Sequence, residues 1–117
     1  MRVRCIGESD QRLTHGREYL VIALLFNPSR SGGIAYIRDD VGGLTWFPTD
    51  VFATVSERIP PSWVIRIDPE HGAVHVSPKR FLEDGFWDAM NSGSGPTRRA
   101  AYDVLRDEIA RHEQFEA

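Results

Sequence analysis

The sequence has one cysteine in 117 residues, so no disulfide can form within it. Cys5 sits in VRCIG, and no histidine or second cysteine stands beside it to form a ligand set. It reads as a small buried hydrophobe, and a cysteine-poor chain suits a reducing cytoplasm. Charge of one sign is also scarce. Fourteen basic residues against seventeen acidic ones leave a formal charge of −3, with no overall electrostatic footprint for nucleic acid. Long hydrophobic runs are missing too. The longest, YLVIALLF at 19–26, has the length of a strand rather than of a membrane span, and it lacks the flanks of a secretory signal.

With 41% apolar residues the composition is that of an ordinary globular domain. The order of patterns predicts a single α+β domain over 1–117, mainly β over 1–77 and helical over 78–113. MRVRCI, EYLVIALLF, IAYIRDD, LTWF and ATV are strand-like, separated by polar or glycine-containing connections. WVIRID and AVHVSP flank the turn PEHG, which predicts a β-hairpin over 63–76, with Trp63, Ile65 and Ile67 on one face. From Pro78 the period changes. PKRFLEDGFWDAMN has helical spacing, interrupted at Gly85, and GSGP separates it from a second helix. In that helix Ala101, Val104, Leu105 and Ile109 share a face, Pro96 suits the first turn, and Arg99–Asp103 and Glu108–His112 are spaced for surface pairs. The final HEQFEA is expected to fray.

Familiar chemistries find little purchase. Asp39, Asp40 and Asp50 are the nearest acidic set, but Val41, Gly42, Gly43 and Leu44 follow where a calcium loop needs alternating oxygen ligands. His71 and His75 are four apart, yet a hairpin rather than a helix carries them, so they do not form a zinc pair; His15 and His112 stand alone. No serine lies in a Gly-x-Ser-x-Gly elbow, and SGSG at 92–95 joins two helices. The adjacent acids Asp39–Asp40 and Glu83–Asp84 do not face each other across a cleft. SGG and GG are too short for a phosphate loop. No catalytic residue, metal or cofactor is expected.

Two segments carry a resemblance. LTHGREYLVI at 13–22 and YIRDDVGGLTWFPTDVF at 36–52 resemble, in order and spacing, the small Src-homology-type (SH3-like) barrels of compact bacterial proteins. The resemblance implies a small antiparallel barrel or strongly curved sheet, extended here by the hairpin and two C-terminal helices. It places Pro48 at a one-turn connection and Phe52 back in the core. Many such barrels are interaction modules, and some belong to phage or toxin–immunity systems.

The functional expectation is therefore a non-catalytic, cytoplasmic protein-interaction module, immunity-like or phage-related, that binds a protein partner. Alternation along LTWF puts Trp46 and Phe47 on opposite faces, so one of them can serve as a contact. Trp87, with Asp84, Asp88 and Glu108 on the acidic helix faces, completes the expected binding set. Asp103 and Asp107 belong to the same faces. The alternative is a nucleic-acid-binding or regulatory protein using Arg2, Arg4, Arg12, Arg17, Arg30 and Arg38 with an exposed aromatic.

Overall fold

The fold is described from a computed structural model, whose described residues are 1–29 and 32–117; Arg30 and Ser31 of the expected NPSRSGG loop lie outside them. Among the described residues, seven strands and two helices follow the expected order. They are β1 (Arg2–Cys5), β2 (Glu18–Phe26), β3 (Gly33–Arg38), β4 (Leu44–Pro48), β5 (Phe52–Ser56), β6 (Trp63–Ile67), β7 (Val74–Pro78), α1 (Phe86–Ser92) and α2 (Gly95–Glu116). Residues 78–85 are not the first half of a helix. A 3-10 turn occupies Lys79–Leu82, and the chain restarts at Gly85, whose φ of 82° lies in the left-handed region. A side chain there would strain the backbone, which is why the helical pattern breaks at that glycine.

All strands join one antiparallel sheet of order β4-β3-β2-β1-β5, with β7 and then β6 branching from β2. The nine residues of β2 make this branching possible. Leu20, Tyr19 and Glu18 pair with β1, whereas Leu24, Leu25 and Phe26 pair with β7, and β3 runs along the opposite edge. The β2–β3 register shifts between Val21 and Ala23, an irregularity of the kind that locally re-aims a strand.

The expected closed barrel or strongly curved sheet is not what forms. Closure requires the two outer strands to pair. Among the described residues β4 and β5 share no ladder, although a single 3-10 turn at Thr49–Val51 joins them. The sheet is open, and the likeness of the two segments to SH3-like barrels extends to strand order along the chain, not to the assembled fold. The physical reason lies in β2. Its second half takes up β7, so the sheet grows sideways through the 63–76 hairpin.

Each face has its own core. On one side Val3, Cys5, Leu13, Tyr19, Val21, Leu24, Ala35, Ile37 and Trp63 are buried, with Phe47 and Phe52 packed against them. On the other, Ile22 and Ala23 meet Phe81, Phe86, Met90, Ala101, Leu105 and Ile109. Phe81 is fully buried and stacks on Phe86 with centroids 4.7 Å apart. The hairpin is covered unevenly: Trp63 is buried, while Ile65 and Ile67 of the same face are 71% and 63% exposed.

The helical layer is also fastened by charge. Arg80, in the 3-10 turn, donates through Nε to Glu108 Oε1 at 2.7 Å and also pairs with Asp107. Glu108 and His112 are both buried, so the expected surface pair does not form; Asp103 pairs with Arg106 instead of Arg99. Nor does the C-terminus fray, since helix continues to Glu116. Removing Arg80 strands a buried carboxylate. Arg80→Ala is expected to cost roughly 2–3 kcal/mol, whereas Asp107→Ala, at an exposed position, costs about 1 kcal/mol or less. Urea unfolding of the two variants measures the difference; equal losses would mean that the Glu108 pair has no special weight.

Candidate functional site

The acids of RDDVGG serve the fold. Asp39 accepts hydrogen bonds from Arg12 Nη1 (2.8 Å), Thr45 Oγ1 (2.7 Å) and the Gly43 and Val41 amides. Burial acts to raise its pKa, but the bonds from Thr45, Arg12 and the two amides outweigh that and hold it below the ordinary value. Asp40 accepts from Tyr19 Oη and Thr14 Oγ1, both at 2.7 Å, and pairs with Arg17. These bonds from Tyr19 and Thr14 lower its pKa too. The two carboxylates tie the β3–β4 turn to the segment before β2. Among the described residues no group of three His, Cys, Asp or Glu side chains is placed to hold a metal ion, and no helix is long and apolar enough to cross a membrane.

One assembly of serine, histidine and carboxylate does form in space. Glu116 Oε1 lies 3.3 Å from Ser56 Oγ and 3.7 Å from His112 Nε2. The order is wrong for nucleophile activation, which needs the histidine to touch the hydroxyl and the acid to orient the histidine. Here the carboxylate stands between them. His112 Nε2 is 2.7 Å from the Met1 amine, and the ring packs under Trp63 with centroids 5.2 Å apart. This group joins β1, β5 and α2.

The expected contact residues divide. Trp46 is the outward member of its pair, 46% exposed, while Phe47 turns into the core against Phe52. Trp46 lines a pocket of about 470 Å³ with Leu25, Asn27, Gly32, Gly33, Ile34 and Pro48. Glu108 is withdrawn into its ion pair with Arg80. Trp87, Asp84 and Asp88, by contrast, come together. They line a groove of about 350 Å³ with Glu83, Phe86, Leu82, Asp68, Arg66 and His75.

The groove is built from the sheet outward. Antiparallel register puts Arg66 opposite His75 and His75 opposite Leu25, so the three share one face. The turn through Gly85 then carries α1 over that face. Trp87 is held by Tyr36 (5.0 Å between centroids), Phe86 (5.3 Å) and Phe81 (5.8 Å). Arg66 is positioned by a 2.8 Å bond from Nη1 to the Leu82 carbonyl. Beyond His75 and Trp87 a second hollow of about 200 Å³ continues over Tyr36, Leu25, Ser77 and Asn91. Four carboxylates face one guanidinium along the first hollow. Asp68 is engaged by His71, whereas Glu83, Asp84 and Asp88 make no ion pair among the described residues. Arg66 and His75 were not part of the expected set. Their alternation in WVIRID and AVHVSP was visible, but the ladder that aligns them under α1 was not.

Comparison with protein-family models, curated proteins and solved structures finds no significant match.

Burial, then the Met1 charge, lowers the pKa of His112 to about 4, against the opposing pull of Glu116. The neutral ring is therefore the form that fits the fold. The unfolded chain binds the proton near pH 6.5 and the folded chain near pH 4, so unfolding takes up a proton between these values and stability falls as pH drops across them. Urea unfolding at pH 7 and pH 5 should show a loss on the order of 1–2 kcal/mol. A His112→Gln variant should lose much of this slope; an unchanged slope would assign it to other groups.

Proposed function

We propose that this chain is a non-catalytic interaction module that holds a basic segment of a protein partner in the groove beside α1. The observation that carries the reading is the setting of Trp87: an aromatic ring fixed by three others, partly open, with the unpaired carboxylates of Glu83, Asp84 and Asp88 around it. A lysine or arginine side chain gains there from the ring face and from opposite charge. The adjoining hollow over Tyr36 and Leu25 offers an apolar wall to the next side chain of the same segment. Such a module acts by covering the surface it grips, as an immunity-like protein does, and needs no cofactor.

Three arginines weigh against the nucleic-acid alternative. Arg4, Arg12 and Arg17 are each paired with an acid of the same fold, Glu18, Asp39 and Asp40. They are not free to meet phosphates without breaking those pairs.

The test is binding of short lysine- and arginine-containing peptides, followed by amide and indole chemical shifts. Perturbations should centre on Trp87, His75, Asp84 and Asp88, weaken with salt, and be absent for acidic peptides of equal length. A double Asp84→Lys, Asp88→Lys variant should reduce affinity about tenfold or more. Binding that ignores peptide charge, or survives the reversal, rejects the reading.

A further inference from the structure

A hollow of about 220 Å³ lies between α2 and the strands β2, β3 and β4, beside the β3–β4 turn. It shares no lining residue with the groove beside α1 or with the hollow that continues that groove. Its floor is apolar. Ile22 comes from β2, and Leu105 and Ile109 come from α2, all three buried. Leu44 and Tyr102, partly buried against the same core, also line it.

The sequence places charge where this layer would take another apolar residue. Along β3, Ile34, Tyr36 and Arg38 alternate onto the helical face, and Arg38 pairs with Leu44 across the ladder. Tyr36 and Leu44 pack on the helical core, whereas Arg38 is exposed. On α2, Tyr102, Leu105, Arg106 and Ile109 stand at i, i+3, i+4 and i+7, one stripe of the helix. Arg38 and Arg106 therefore reach the same hollow, one from the sheet and one from the helix.

Both charges are open to a ligand. Arg38 makes no side-chain hydrogen bond or ion pair among the described residues. Its guanidinium lies by the turn, where a Cβ added to Gly42 would stand 4.0 Å from Nη2. Gly42 has a φ of 83°, which disfavours any side chain in that space. Arg106 pairs with Asp103, but at 61% and 65% side-chain exposure the pair is weak enough to rearrange. No carboxylate among the described residues lines the hollow. Arg98, 5.5 Å from the Tyr102 ring centroid, adds to the positive field.

We propose that this hollow binds a small monocarboxylic acid with an apolar body, about the size of hydrocinnamate. Charge sets the head group, because a planar guanidinium meets a carboxylate with two parallel bonds. Volume sets the body. An apolar cavity of about 150 Å³ holds a benzene ring. At about 220 Å³ there is room for a ring and a short chain leading to the arginines. Inorganic phosphate would meet the arginines but leave the apolar floor bare. The site stands apart from the groove beside α1, so its failure leaves that reading untouched.

Titration with hydrocinnamate to about 5 mM, followed by the amide shifts of the whole chain, tests the site. Saturable shifts should centre on Gly42, Leu44, Leu105 and Arg106. Hydrocinnamamide keeps the body and loses the charge, and it should bind about tenfold or more weakly. Inorganic phosphate should be weaker by a similar factor. Arg38 is exposed, so Arg38→Gln is expected to retain the fold by circular dichroism while weakening hydrocinnamate about tenfold. The absence of saturable shifts at this hollow, or equal binding of the amide, overturns the proposal. So does undiminished affinity in folded Arg38→Gln.

Discussion

The whole arrangement depends on β2 carrying three ladders. A strand of ordinary length would serve one neighbour on each edge. At nine residues, Glu18–Phe26 serves β1 and β7 in succession on one edge and β3 on the other. Its side chains also serve both cores. Tyr19, Val21 and Leu24 go to one, while Ile22 and Ala23 go to the other. The consecutive burial of Val21 through Leu24 explains why this run reads as unbroken hydrophobic sequence instead of alternation. It also explains why the sheet stays open. The second half of β2 is occupied by the hairpin strand, and β4 and β5 remain the ends of the path.

The second face is completed by elements that could not hold themselves together. The seven residues of α1 and the 3-10 turn before it are too short for independent stability. They persist because Phe81, Phe86 and Met90 are buried against β2 and α2, and because Arg80 reaches across to Asp107 and Glu108. A helix fixed by aromatic packing also fixes what it displays. Trp87 and its neighbouring carboxylates are thus presented at a definite place over β7, instead of on a flexible extension.

What could be read from residue order was local. Alternation in WVIRID, the PEHG turn, the Pro96 start of α2 and the helical period around Leu105 are short-range signals, and they correspond to β6, the hairpin turn and α2. Closure of the sheet is different, because it depends on whether two strands distant in sequence bond to each other, and nothing in LTWF or ATV encodes that. The same limit applies to Glu108. On a helical wheel it belongs to an acidic solvent face, and only the approach of Arg80 from twenty-eight residues away makes it a buried ion-pair partner. In residue order His112 and Glu116 look like a fraying end because their partners, Met1 and Ser56, lie far away along the sequence. Of the contact set, Trp87, Asp84 and Asp88 were visible as neighbours, but the Arg66–His75 floor beneath them was a product of register.

Strand β6 belongs to two surfaces, because the two-residue period of a strand sends alternate side chains to opposite faces. Arg66 goes to the groove, and Ile65 and Ile67 go to the opposite face. One ladder fixes both sides, since the register that sets Arg66 opposite His75 also sets Ile65 opposite Val76 and Ile67 opposite Val74.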